Sequence, residues 1–351
     1  MGKPKYILLV RHGESQGNCD KSVNRFTPNH TVDLTEKGHY QATAAGLVLR
    51  QFLQQECFDT KLPGNKNPRS IMFYTSPYLR ARQTCNNIIE GIKDLPGVEY
   101  GIHEEARMRE QDFGNFQSTP EEMEKIWEER AHYGHFFYRI PHGESAADVY
   151  DRIASFNESL FRQFQQDDFP NILVLVTHGI WARVFLMKWF RWSYEEFESL
   201  KNIPHCQYLI MKRHEHGKFF LKTRLLTWDD VDEDDIDDQI VKEVGDEVCF
   251  NSTNKLANVD DLDISGIILA QKEAIKSTRA KNKQIREAFE KINGKGTNGY
   301  TAYTDKIASR FKTDNQSLVN SVENLALPDK DNHSIANSVN SVESLVVPEK
   351  Y

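Results

Sequence analysis

The sequence predicts an α/β fold over residues 1–228, with three layers: a mostly parallel central sheet and helices on both of its faces. Three observations lead there. Short apolar runs alternate with longer stretches of helical composition, the pattern of strands separated by helices. The runs at 7–10 and 172–177 are apolar without interruption, as strands buried on both faces are. Charge then divides the chain. Residues 1–228 carry 29 basic and 28 acidic groups, residues 229–351 carry 15 and 24, and the whole chain stands at −8. The last third is therefore expected to be an acidic, partly helical and largely disordered tail.

The elements follow in order. Residues 7–10 form the first strand. Thr35 caps a helical stretch over 41–55. Residues 70–75 read as a strand and lead into a helix that runs to residue 92, with Pro77 suited to its first turn. A helical stretch over 146–166 precedes the strand 172–177, and another helix begins near residue 180. Runs at 207–212 and 218–225 flank His216-Gly217 and predict a hairpin. In such sheets ligands bind beyond the carboxyl ends of the strands.

The tail reads in three parts. Residues 229–266 form an acidic linker that opens with Asp229-Asp230-Val231-Asp232-Glu233-Asp234-Asp235, a self-repelling and solvated block. Residues 267–292 contain no Gly or Pro and predict one helix, solvent-exposed because its apolar positions are sparse. Residues 293–351 are expected to be disordered, and they carry a repeat. Ser317 to Lys330 returns 20 residues later as Asn337 to Lys350, with eight of 14 positions identical. Two copies are too few to stack into a solenoid.

Composition excludes several classes. Hydrophobic residues make up 39% of the chain and mean hydropathy is −0.63, so part of the length is not core. No run approaches the roughly 18 apolar residues of a membrane span, and no secretory signal is expected at the amino terminus. The five cysteines, at 19, 57, 85, 206 and 249, are odd in number and never spaced Cys-x-x-Cys. A reducing compartment is expected, with the protein cytoplasmic and nuclear access left open. No nucleic-acid partner is expected. A protein partner for the tail is the one macromolecular contact left open.

The polar clusters fall at strand ends. Arg11-His12-Gly13-Glu14-Ser15-Gln16-Gly17-Asn18 follows the first strand, where Arg and His can face an anion together and Asn18 can donate an amide hydrogen bond. Ser76-Pro77-Tyr78-Leu79-Arg80-Ala81-Arg82 follows the second. Arg80 faces the site, and Arg82, two residues on, points elsewhere. Thr177-His178-Gly179 ends the most apolar strand. A fourth cluster runs Arg107-Met108-Arg109-Glu110-Gln111-Asp112-Phe113-Gly114.

These motifs, with Gly143-Glu144-Ser145, occur in the order seen in the histidine phosphatase superfamily, also called phosphoglycerate-mutase-like proteins. The resemblance covers residues 5–225. Asp112-Phe113-Gly114-Asn115-Phe116-Gln117 resembles the fungal cytosolic broad-range acid phosphatases. The resemblance implies a metal-independent, cofactor-free phosphomonoester hydrolase acting on a small phosphorylated substrate. His12 would become a phosphohistidine and Glu110 would serve as general acid and base. Arg11, Arg80 and His178 would surround the phosphoryl group, and Gly13, Ser15, Asn18 and Gly179 would bind substrate. The positive charges are expected to lower the pKa of His12.

Glu144 and Ser145 read as structural. Arg25 and Arg139 are candidates for a second anionic group of the substrate. His30, His39, His103, His132, His135, His205, His214 and His216 lack motif context and read as ordinary histidines. Three alternatives differ in class. A phosphoglycerate mutase would need paired arginines that the short acidic segment between Glu110 and Gly143 lacks. A sugar-bisphosphate phosphatase is closer, because Phe137-Tyr138-Arg139-Ile140-Pro141 resembles that branch. A non-catalytic adaptor working through its tail is the third.

Overall fold

The structure is a computed structural model that describes residues 2–57, 67–231, 235, 236, 239 and 265–293. Its six strands are β1 (Tyr6–Arg11), β2 (Ser70–Thr75), β3 (Glu99–Glu104), β4 (Ile172–Thr177), β5 (Tyr208–Arg213) and β6 (Phe219–Leu221). They form one sheet in the order β3-β2-β4-β1-β5-β6. The first four are parallel, and the β5–β6 hairpin adds an antiparallel edge. The mostly parallel α/β sheet expected from the sequence is thus present.

Alternation along β1 and β4 serves two cores. Ile7, Leu9, Leu173 and Leu175 face the layer of α6 (Ala146–Gln163) and α7 (Gly179–Phe190). Tyr6, Leu8, Val10, Val174 and Val176 face α3 (Glu36–Glu56) and α4 (Leu79–Glu90). Full burial of one such side chain contributes roughly 1.5–3 kcal/mol. Because both faces are covered, these strands have no polar alternation. Thr35 caps α3 by accepting from the Gly38 N–H at 3.0 Å. Pro77 lies just outside α4 rather than in its first turn, since Tyr78 is the N-cap.

The strand β3 was not predicted. It is an edge strand, mostly exposed, with Glu at both ends and Gly101 within, so no apolar periodicity announces it. The short helices α1 (Gln16–Cys19) and α2 (Val23–Phe26) follow the first cluster. The acidic segment before Gly143 folds as α5 (Pro120–Tyr133). Thr119 closes a capping box with Glu122, Pro120 opens the first turn, and the early acids suit the helix dipole. A short α8 (Tyr194–Ser199) follows α7.

The tail helix, α9, spans Ser265–Asn293 and belongs to the same compact unit as the sheet. It is not the fully exposed helix expected over 267–292. It packs on α5 and α8. Ala270 is buried, and Ile275 is buried with Trp228 and Ile236. The buried apolar residues of this helix are few, and for that reason the sequence pattern looked weak. Asp229, at the start of the acidic block, pairs with Arg279 of this helix at 3.1 Å and stays exposed. Most of the linker 229–266 and all of the repeat lie outside the described residues.

Candidate active site

The register β1–β4 pairs Arg11 with Thr177, and β2–β4 pairs Thr75 with Val176. Three strands therefore end at one level, and the next residues of each, His12, Ser76 and His178, converge. Backbone bonds extend the ladder one step: His12 N–H donates to Thr177 O at 2.9 Å and Ser76 N–H to Val176 O at 3.0 Å.

His12 is 3% exposed. Its Nδ1 lies 2.7 Å from Gly13 O. A carbonyl only accepts, so Nδ1 carries the proton and Nε2 presents a lone pair. Arg80 Nε lies 3.3 Å from that Nε2, and Arg80 Nη1 donates to Asn29 O at 2.7 Å. Arg11 Nη1 donates to Ile203 O at 2.7 Å, which fixes the first guanidinium. His178 is fully buried at the N-cap of α7; its Nε2 is 2.8 Å from Ser76 Oγ and its Nδ1 is 3.5 Å from Glu110 Oε2.

Glu110 stands on a loop clamped by Arg152, a residue that no motif marked. Arg152 Nη1 donates to Arg107 O at 2.6 Å and Arg109 O at 2.9 Å, and Nη2 to Glu110 O at 3.1 Å. Glu144 holds Arg152 at 3.1 Å and Arg109 at 2.7 Å, and Ser145 caps α6. Thr177 Oγ1 donates to Met108 O at 3.1 Å, which ties β4 to the same loop.

Burial sets the electrostatics more than charge does. It pushes the His12 imidazole well below its ordinary pKa, ahead of the Arg80 guanidinium, then His178 and His205, and last Arg11. The expected direction is right, but the expected cause is second. Burial also raises the Glu110 carboxyl, against the pull of Arg80, although 14% of its side chain stays open. His178 is lowered by burial and then by Arg80.

The pocket above these groups brings together Arg11, His12, Ser15, Asn18, Arg80 and Glu110, and Gly179 also lines it. Ser15 donates to Asn18 Oδ1 from both its N–H, at 3.0 Å, and its Oγ, at 2.8 Å. Gly13 is not on the wall. Its N–H donates to Thr84 Oγ1 at 3.0 Å, and an added Cβ would sit 2.4 Å from Gly38 O, so it serves close packing against α3 instead. Arg82 pairs with Glu104 at 3.6 Å, outside the pocket. Arg25 lies over the Phe26 ring and Arg139 pairs with Asp148 at 2.6 Å, and neither lines the pocket. The cation on the outer wall is Lys21, beside Asn24, Gln117, Trp127 and Asn202.

Sequence reasoning set His205 aside as ordinary. Its Nδ1 lies 2.8 Å from His12 O and its ring 5.5 Å from that of His12. The bond joins a side chain to a backbone carbonyl 193 positions away, which leaves no local signal. Ligand atoms of His12, Glu110 and His178 lie within 4.8 Å of one another, close enough to hold a metal ion. With Arg80 against His12 and Arg11 nearby, the same space favours an anion.

The family model for the histidine phosphatase superfamily (branch 1) matches residues 7–225. The chain is 37% identical to broad-range acid phosphatase DET1 of Saccharomyces cerevisiae, over 66% of this chain and 92% of that protein. It is 42% identical to the phosphoglycerate mutase-like protein AT74H of Arabidopsis thaliana, over 67% of this chain and 85% of that one. Among solved structures, the product of open reading frame Rv3214 from Mycobacterium tuberculosis matches with a TM-score of 0.45 at 24% identity, over 64% of this chain and 99% of that one. The matched span runs from β1 to just past β6, and on that ground the chain belongs to the histidine phosphatase superfamily.

Proposed function

We propose that the protein is a metal-independent acid phosphatase that hydrolyses small phosphomonoesters through a phosphohistidine on His12. The observation that carries this reading is the unprotonated His12 Nε2, held by the Nδ1–Gly13 bond and facing Arg80, with Glu110 across the pocket. The similarity to the yeast relative, a broad-range acid phosphatase, supports the same activity.

In the first step the Nε2 lone pair attacks phosphorus and the bond to the leaving oxygen breaks. Glu110 gives that oxygen its proton. Arg11, Arg80 and His178 stabilise the charge on the equatorial oxygens. In the second step Glu110, now a carboxylate, takes a proton from water. The water oxygen attacks phosphorus, the P–N bond breaks, and its electrons return to Nε2. The reaction needs His12 neutral and Glu110 protonated. A lowered His12 and a raised Glu110 let both states coexist at acidic pH. The rate then falls below the His12 pKa and above the Glu110 pKa.

Among the described residues, Cys19, Cys57, Cys85 and Cys206 form no disulfide, which supports a reducing, cytoplasmic setting. Among the described residues no helix is long and apolar enough to cross a membrane.

The test is rapid acid-free quenching during turnover of a phosphorus-labelled monoester. Label is expected on the peptide that contains His12. His12→Ala is expected to lose on the order of 10⁴-fold in kcat or more with its circular dichroism unchanged. Absence of label, or a chelator that abolishes turnover, overturns the reading. Stimulation by 2,3-bisphosphoglycerate would favour a mutase instead.

A further inference from the structure

We propose that Ser76 is a positioning residue that fixes the tautomer of His178, so that its Nδ1–H faces the pocket. Ser76 and His178 are both fully buried. Ser76 Oγ lies 2.8 Å from His178 Nε2, and it also accepts the Tyr78 N–H at 3.3 Å. A hydroxyl has one proton to give. Among the described residues, the imidazole Nε2 is the acceptor within reach of that proton. If Nε2 held the hydrogen instead, the hydroxyl would accept twice and its own proton would be stranded in a buried site.

The other ring nitrogen decides the matter further. His178 Nδ1 is buried and makes no hydrogen bond within the protein, yet it lies 3.5 Å from Glu110 Oε2 at the pocket. A bare lone pair there would repel any bound phosphoryl oxygens, and it would compete for the proton that Glu110 must give the leaving oxygen. A proton there makes Nδ1 a donor to them. The Tyr78 ring, 5.2 Å from the His178 ring, packs against it from the side and keeps it from turning over. Ser76 therefore sets which nitrogen donates, while Thr177 and the start of α7 set where the ring stands.

The effect on rate rests on the phosphatase reading above; the effect on the ring does not. Imidazole nitrogen shifts, recorded on the full chain labelled with ¹⁵N-histidine and assigned by loss of the signal in His178→Gln, report the tautomer directly. The wild type is expected to show His178 protonated at Nδ1. Ser76→Ala is expected to show mixed tautomers and a kcat lowered about 10- to 100-fold, with KM changed less than about threefold. Ser76→Thr, which keeps the hydroxyl, is expected to retain the Nδ1–H form and to recover most of the rate. A wild-type ring protonated at Nε2 overturns the proposal even if neither Ser76 variant folds. So does a folded Ser76→Ala with an unchanged tautomer and rate. Failure to trap phosphohistidine while the Nδ1–H form persists would sink the phosphatase chemistry and leave the tautomer assignment standing.

Discussion

On one side of the pocket, His12 and His178 follow directly from strands β1 and β4, whose ends are locked in register, and Arg80 stands in the first turn of α4, after β2. On the other side, Phe113, Gln117 and Trp127 stand on a loop and on α5, outside the sheet. The first wall is held by backbone bonds, such as His12 N–H to Thr177 O at 2.9 Å, and its side chains are nearly all buried. The second is held by ring contacts, with Phe113 edge-on to Trp127 at 5.5 Å, and α9 braces α5 from behind. The wall that carries the proposed chemistry is thus an extension of the sheet. The other wall is an attachment to it.

Three variants separate the two walls, beginning with the largest effect. Glu110→Gln removes the proton donor at their junction. A fall in kcat of about 10²- to 10³-fold is expected, with the alkaline fall in rate abolished, because that limb is the deprotonation of Glu110. A surviving alkaline limb in a pH–rate profile would assign it to another group.

Arg152→Ala loosens the clamp on the Glu110 loop without touching substrate. It removes three bonds to loop carbonyls and leaves Glu144 short of a partner. A drop of about 10- to 100-fold in kcat is expected. Arg152 also holds the Glu110 pKa down, so its loss moves the alkaline limb to higher pH. A limb that stays in place would reduce Arg152 to a purely mechanical part.

Ile275→Asp attacks the far wall from behind, by placing a charge among Trp228 and Ile236. Loss of about 1–3 kcal/mol of stability is expected in denaturant titrations. KM is expected to rise about two- to fivefold, a coupling of about 0.5–1 kcal/mol, with kcat nearly unchanged. An equal loss in kcat would show that α9 supports the chemical wall as well.

How much of this was legible in the sequence depended on where the partner of each residue lies. Strands β1, β2 and β4 are short apolar runs, and their partners are any apolar neighbours, so pattern alone found them. His12, Arg80 and His178 were legible because they sit within a few positions of the ends of those runs, whereas Glu110, beyond the unpredicted β3, was marked by the family resemblance. The strand β3 was missed because it completes an edge with charged and exposed residues. His205 and Arg152 were missed because they act on backbone carbonyls, and a carbonyl has no sequence. The packing of α9 was missed because its buried apolar residues, Ala270 and Ile275, are few, and so few positions carry little periodic signal. The raised Glu110 pKa has burial as its leading cause, and burial is a property of the fold that no local motif carries.

His12 is fastened on several sides at once: its backbone N–H to β4, its ring Nδ1 to Gly13, its backbone carbonyl to His205. In the phosphohistidine route proposed above, a ring held in this way does not swing to a new station between the two halves of the reaction. The departing alcohol and the arriving water must then use one port, the one that Glu110 overlooks. Each displacement inverts phosphorus, and two inversions at a motionless nitrogen cancel, so a stereochemically labelled phosphoryl group leaves with the handedness it brought.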